Sequence, residues 1–177
     1  MERGAGVGDK GWCRWCEVQP WLPVQSIPAQ AEAVWVSFAG VALECSLWWG
    51  AAVESPGRSV VRSLAGGGGE WVRLGESDVA SSWPTNRVWP DLEPGMFLYD
   101  PDKAALAADL LGAVASVVGG DEIGPATGYL VAREQIDTGW ARRWRIHEVL
   151  PSTSRPSGLG PAVTTWKPDA QATRSRP

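Results

Sequence analysis

Between residues 31 and 50 the chain reads AEAVWVSFAGVALECSLWWG, and large apolar side chains recur at every second position. Val34, Val36 and Phe38 share one face of an extended segment. Val41, Leu43, Cys45, Leu47 and Trp49 share one face of a second. Ala39-Gly40 separates them, so the stretch predicts a β-hairpin with a short turn. Further on, ESPGRSVVRS (54–63) turns at Pro56-Gly57 and leads into a short strand, GGGG (66–69) is a second turn, and EWVRL is again strand-like. Residues 75–95 are polar, hold three prolines and predict a linker or long loop.

The period then changes. FLYDPDKAAL (97–106) carries an aromatic-apolar run into a helical pattern. Asp100 suits an N-cap, Pro101 the first helical position, and Asp102 the positive helix start. Leu106, Leu110, Ala113, Val114 and Val117 form a stripe at helical spacing, with Lys103, Asp109 and Ser116 off it, and Gly119-Gly120 closes the run. This predicts a helix over 101–118. ATGYLVA and RWRIHEVL then read as strands. In the second, Trp144, Ile146, Glu148 and Leu150 share a face, so Glu148 is either a polar intruder or the mark of an edge strand.

The segments at either end read differently. Residues 1–20 are Gly-rich and read as irregular. The stretch 152–177 is rich in Pro and Ser, poor in large apolar residues and net positive, which predicts a disordered tail. The 177 residues are 44% hydrophobic and 20% charged, enough for a core in one domain or two small ones. A net charge of -4 and a pI near 5.0 confine any nucleic-acid surface to a local patch. No apolar run reaches the roughly 18–20 residues of a membrane span, and the N-terminus lacks a signal-like apolar core, so a cytoplasmic location without membrane contact is expected. Most of the twelve Trp are assigned to packing, with Trp35, Trp48 and Trp144 at expected core positions.

MFLYDPDKAALAADLLGAVA, then ATGYLVA, then RRWRIHEVLP together resemble the THUMP-like domain at the C-terminus of a class of bacterial S-adenosylmethionine-dependent methyltransferases. Phe97, Leu98, Tyr99, Asp100, Pro101 and Asp102 match the motif that opens its helix, Tyr129-Leu130 its next strand, and Glu148, Val149, Leu150 and Pro151 its EVLP strand. Upstream, IPAQAEAVWVSFAGVALECSLWWG resembles the ferredoxin-like segment that precedes that domain. The resemblance covers roughly residues 20–151. It implies an α+β fold: a small antiparallel ferredoxin-like sheet (with linker, 21–92) followed by a truncated THUMP-like α/β module (93–151). The family's catalytic domain and its closing helix and strand have no counterpart, so the chain is expected to be a C-terminal remnant truncated at both ends. S-adenosylmethionine is the cofactor of the full-length family, and none is expected in this chain.

Candidate chemistry is sparse. GAGVG (4–8) has no preceding buried strand, so it predicts a flexible N-terminus rather than a cofactor loop. Cys13 and Cys16 have redox or half-zinc spacing, but only Cys45 and His147 could complete a zinc site, and no helix follows for a thioredoxin-like one. Cys45 is expected to pack as a small hydrophobe and His147 to face solvent. No catalytic, cofactor-binding or metal residue is assigned. Arg142, Arg143 and Arg145 around Trp144, with Arg133 upstream, are the candidate RNA contacts, because guanidinium groups meet phosphates and an exposed indole can stack on a base. The competing reading of ARRWR is a solvated strand end with Trp144 in the core. The expected function is a substrate-recognition or scaffold module of a methyltransferase acting on RNA, partnered by a catalytic domain. The alternatives are a non-catalytic interaction or vestigial protein that never touches nucleic acid, and, more remotely, a CxxC redox enzyme.

Overall fold

The hairpin forms as its alternation requires. In a computed structural model describing residues 13–63, 71–81, 83, 91–124 and 126–150, β2 (Glu32–Phe38) and β3 (Val41–Gly50) pair antiparallel around Ala39 and Gly40, both at positive φ. Two successive left-handed residues give a tight turn whose twist suits the flanking strands. The inward face of β2 is the one carrying Ala33, Trp35 and Ser37, all buried. Val34 and Val36 are half-buried on the other face, and Phe38 is 64% exposed. A register shift between Val36 and Ser37 leaves Leu43 exposed, while Cys45 and Leu47 stay in the core.

Three further strands complete this sheet: β1 (Cys13–Val18), β4 (Gly57–Ser63) and β5 (Trp71–Gly75), in the order β1-β3-β2-β4-β5. One row of side chains crosses all five strands: Val18, Cys45, Trp35, Val60 and Leu74. Trp35, Cys45 and Val60 are fully buried, and the Trp35 indole N–H donates to the Pro20 carbonyl at 2.8 Å. Two expectations are corrected. The sheet is mixed, because β2 and β4 run parallel while the other pairs are antiparallel. The stretch expected to be irregular, 1–20, contains β1, whose short sequence CRWCEV is a strand paired with β3.

The predicted 101–118 helix is two helices. Pro101 ends strand β6 (Phe97–Pro101), and Asp102, not Asp100, is the N-cap, accepting from the Ala104 N–H at 2.8 Å. Then α1 (Lys103–Ala107) stops, and α2 (Leu111–Val118) begins as a separate helix. The break is a left-handed cap at Asp109 (φ 56°), closed by Leu110 N–H to Ala105 O and Asp109 N–H to Leu106 O. Arg58 of β4 holds it from outside, donating to the Ala108 carbonyl at 3.1 Å and to the Asp109 carboxylate at 3.2 Å. The predicted glycine stop does form, with Gly119 at φ 63°.

The second sheet has the order β7-β8-β6-β9, all antiparallel, with β7 (Asp121–Glu122), β8 (Leu130–Ala132) and β9 (Ala141–Arg145). The strand expected over RWRIHEVL stops at Arg145, and β9 lies at the sheet edge. Trp144, opposite Leu98, is half-buried, and Ile146 is the buried residue of this stretch, packed with Met96 and Val131. α1 packs on β2, β3 and β4. One core cluster therefore runs from Trp35 and Cys45 of the first sheet through Leu110 and Val114 to Tyr99 and Leu130 of the second. The α+β class stands. The GGGG turn, GAGVG and the 152–177 tail lie outside the described residues.

Candidate nucleic-acid interface

The four arginines singled out from the sequence do not converge. Alternation along β9 sends Arg142 to one face of the sheet and Arg143 and Arg145 to the other. Arg143 is largely committed: its guanidinium pairs with Asp137 and lies 5.7 Å from the Phe97 ring centroid, and its buried Nε has no hydrogen-bond partner. Arg133 pairs with Glu93 at 2.8 Å, and both side chains are exposed. Among the described residues, Arg142 and Arg145 make no ion pair.

A cavity of 440 Å³ opens where the β2–β3 turn meets the start of β9. Backbone bonds hold its walls: the Lys103 N–H donates to Gly40 O at 3.2 Å, and the Asp102 N–H to Trp140 O at 2.8 Å. Beneath it the Ser37 hydroxyl donates to the buried Asp102 carboxylate, joining β2 to the first residue of the helical segment. Arg142 lines this cavity together with Arg62 of β4, a residue that sequence reasoning passed over. The Arg62 guanidinium lies 5.7 Å from the Trp140 ring centroid and against Gly139, where a Cβ would fall 1.5 Å from its Nη1. Like Arg142, it makes no ion pair among the described residues. A larger cavity, 610 Å³, is lined by Asp91, Glu93, Asp121 and Glu134 around the paired Arg133, a poor setting for an anion.

The remaining candidates are quiet. Cys13 and Cys16 lie in strand β1 and not at a helix start, the position that activates thiols. Burial pushes the Cys45 thiol up to about 12, helped by nearby Cys16 and Glu44, as suits a packed residue. His147 is exposed. Among the described residues, no group of three or more His, Cys, Asp and Glu could hold a metal ion, and no helix is long and apolar enough to cross a membrane.

No family model and no curated protein matches this chain. A solved structure of a candidate methyltransferase from Porphyromonas gingivalis W83 shares the fold, with a TM-score of 0.54 at 15% identity over 80% of this chain. The chain corresponds to only 36% of that protein's length.

Proposed function

We propose that this chain is the substrate-recognition and scaffold module of an S-adenosylmethionine-dependent methyltransferase acting on RNA, with the cofactor and the transfer chemistry carried by a separate catalytic domain. On this reading residues 21–92 form the ferredoxin-like part and 93–151 the THUMP-like part. The observation that carries the proposal is the fold shared with about a third of a candidate methyltransferase. The guanidinium groups of Arg62, Arg142 and Arg145, which make no ion pair among the described residues, support an RNA role in a chain that is net acidic.

The test is fluorescence anisotropy of a labelled mixed-sequence single-stranded RNA with the full chain at several salt concentrations. Binding should weaken steeply with salt. The combined Arg142→Ala, Arg143→Ala and Arg145→Ala variant should bind more weakly and lower the log–log salt slope by roughly 0.7–0.9 per lost phosphate contact. Unchanged affinity and slope in a folded variant would remove the RNA assignment of this patch. In the same reading, isothermal titration of S-adenosylmethionine into the chain should give no saturable heat.

A second reading has its own support. The outer face of the first sheet carries a stacked Trp15–Trp48 pair (centroids 5.8 Å apart) at one end and exposed Phe38, Val41 and Trp71 toward the other. Exposed aromatic residues on one sheet face suit a protein partner. A non-catalytic interaction protein is the conclusion if RNA binding fails.

A further inference from the structure

We propose that the cavity between the β2–β3 turn and the start of β9 is a phosphate seat, in which Arg62 and Arg142 hold a phosphate group of a nucleotide strand. The strand as the source of the phosphate rests on the RNA reading above, whereas the seat itself rests on the geometry.

Five charged side chains line the cavity, and three of them are already engaged. Lys103 pairs with Asp100 at 2.7 Å. Asp102 accepts from the Ser37 hydroxyl and from the Ala104 N–H. Asp100 sits opposite Arg142 in the β6–β9 ladder, yet its carboxylate serves Lys103. That leaves two guanidinium groups lining one cavity without a carboxylate partner among the described residues. An anion seated in the cavity would supply the opposite charge that neither guanidinium group finds there. The first amides of α1 are not the donors, since the Lys103 N–H serves Gly40 and the Ala104 N–H serves Asp102. The free donors are the planar guanidinium forks, whose geometry matches phosphate oxygens.

The Arg62 fork is also held in place. It lies over the Trp140 indole and against a residue with no side chain, Gly139. A preorganised donor loses less freedom on binding than a solvated one. The 440 Å³ volume is in the roughly 300–1,000 Å³ range of small-ligand sites, so it leaves room for a sugar attached to the phosphate.

The test titrates the full chain with inorganic phosphate, read by ³¹P line broadening, and with matched RNA oligonucleotides carrying a 5′-phosphate or a 5′-hydroxyl, read by anisotropy. Phosphate should bind saturably and should compete with the oligonucleotides. Arg62→Gln and Arg142→Gln should each weaken phosphate binding roughly tenfold, as loss of a charge-assisted bond does. Gly139→Ala should also weaken it by displacing the Arg62 fork, although the charge is unchanged. Arg145→Gln, outside the cavity, should leave it within about twofold. Thermal melting checks the fold of each variant; Arg142 is exposed, so its variant decides the matter even if Arg62→Gln unfolds. Phosphate binding that survives Arg142→Gln in the folded protein, or no phosphate binding at all, overturns the seat. RNA binding that is insensitive to phosphate and to both arginines overturns the strand as the source of the phosphate while leaving the RNA reading intact. Phosphate binding lost on Arg142→Gln, with no RNA binding, upholds the seat and assigns it to a free phosphate compound.

Discussion

Ser37 lies at a position where alternation puts a core residue, and a hydroxyl there needs a partner. It finds one in Asp102, 65 positions away in sequence, which is the N-cap of α1. Ser37→Ala leaves that buried carboxylate oxygen short of a donor, so a loss on the order of 1–3 kcal/mol is expected in urea unfolding. A change of only a few tenths would show that the contact contributes little. Cys45 gives the opposite case, a polarisable group treated as a hydrophobe. With its thiol pushed up to about 12 by burial, it should resist iodoacetamide at pH 8 in the native chain and react after denaturation. Modification of native Cys45 under those conditions would contradict its place in the core.

The helical character of this segment and its glycine stop were legible, but the single stripe from Leu106 to Val117 was not realised: it is divided between α1 and α2, and Val117 is exposed while Val118 is buried. The break at Asp109 was not legible, because an aspartate at a left-handed cap is uncommon and its support comes from Arg58, far back in the sequence. Gly112 carries a similar lesson. Inside a helix, glycine usually costs about 0.5–1 kcal/mol relative to alanine, so propensity alone predicts that Gly112→Ala stabilises. Here a Cβ would fall 2.3 Å from the Trp83 ring, on a face where Trp83 packs against the core cluster. Gly112→Ala should therefore destabilise, by about 1–3 kcal/mol as overpacking does. A raised melting temperature would mean that Trp83 moves aside at little cost.

The two sheets and two helices share one core, and a charged contact at its margin ties stability to pH. Burial alone would raise the Glu32 carboxyl, but hydrogen bonds from Arg73 and from the Glu54 and Ser55 amides outweigh it and hold the group below its ordinary 4.5. A depressed folded value means that the contribution is fully present above about pH 4.5 and is lost as pH falls through the lower, folded value. Melting temperature against pH should therefore decline in that acid range, and Glu32→Gln should show a shallower decline from a lower starting point. Equal slopes would exclude Glu32 as the source.

The local code was sufficient for whatever depends on near neighbours: the hairpin and its Ala39-Gly40 turn, β4, β5 and the stop at Gly119. It also marked Cys45 as a packed residue, because strand alternation and core facing are linked by a fixed period of two. It gave the basic candidates of β9 but not their directions, since three arginines on adjoining positions alternate between faces once the strand forms. The parallel register of β2 with β4 and the pairing of β1 needed long-range hydrogen bonds that no short window encodes. The cavity belongs to the same class. Arg62 is one charged residue in the strand GRSVVRS, and it acquires a setting only when Gly139, Trp140 and Arg142 fold against it from about eighty positions away. Charge near charge is a property of distance in space, and chain separation does not report it.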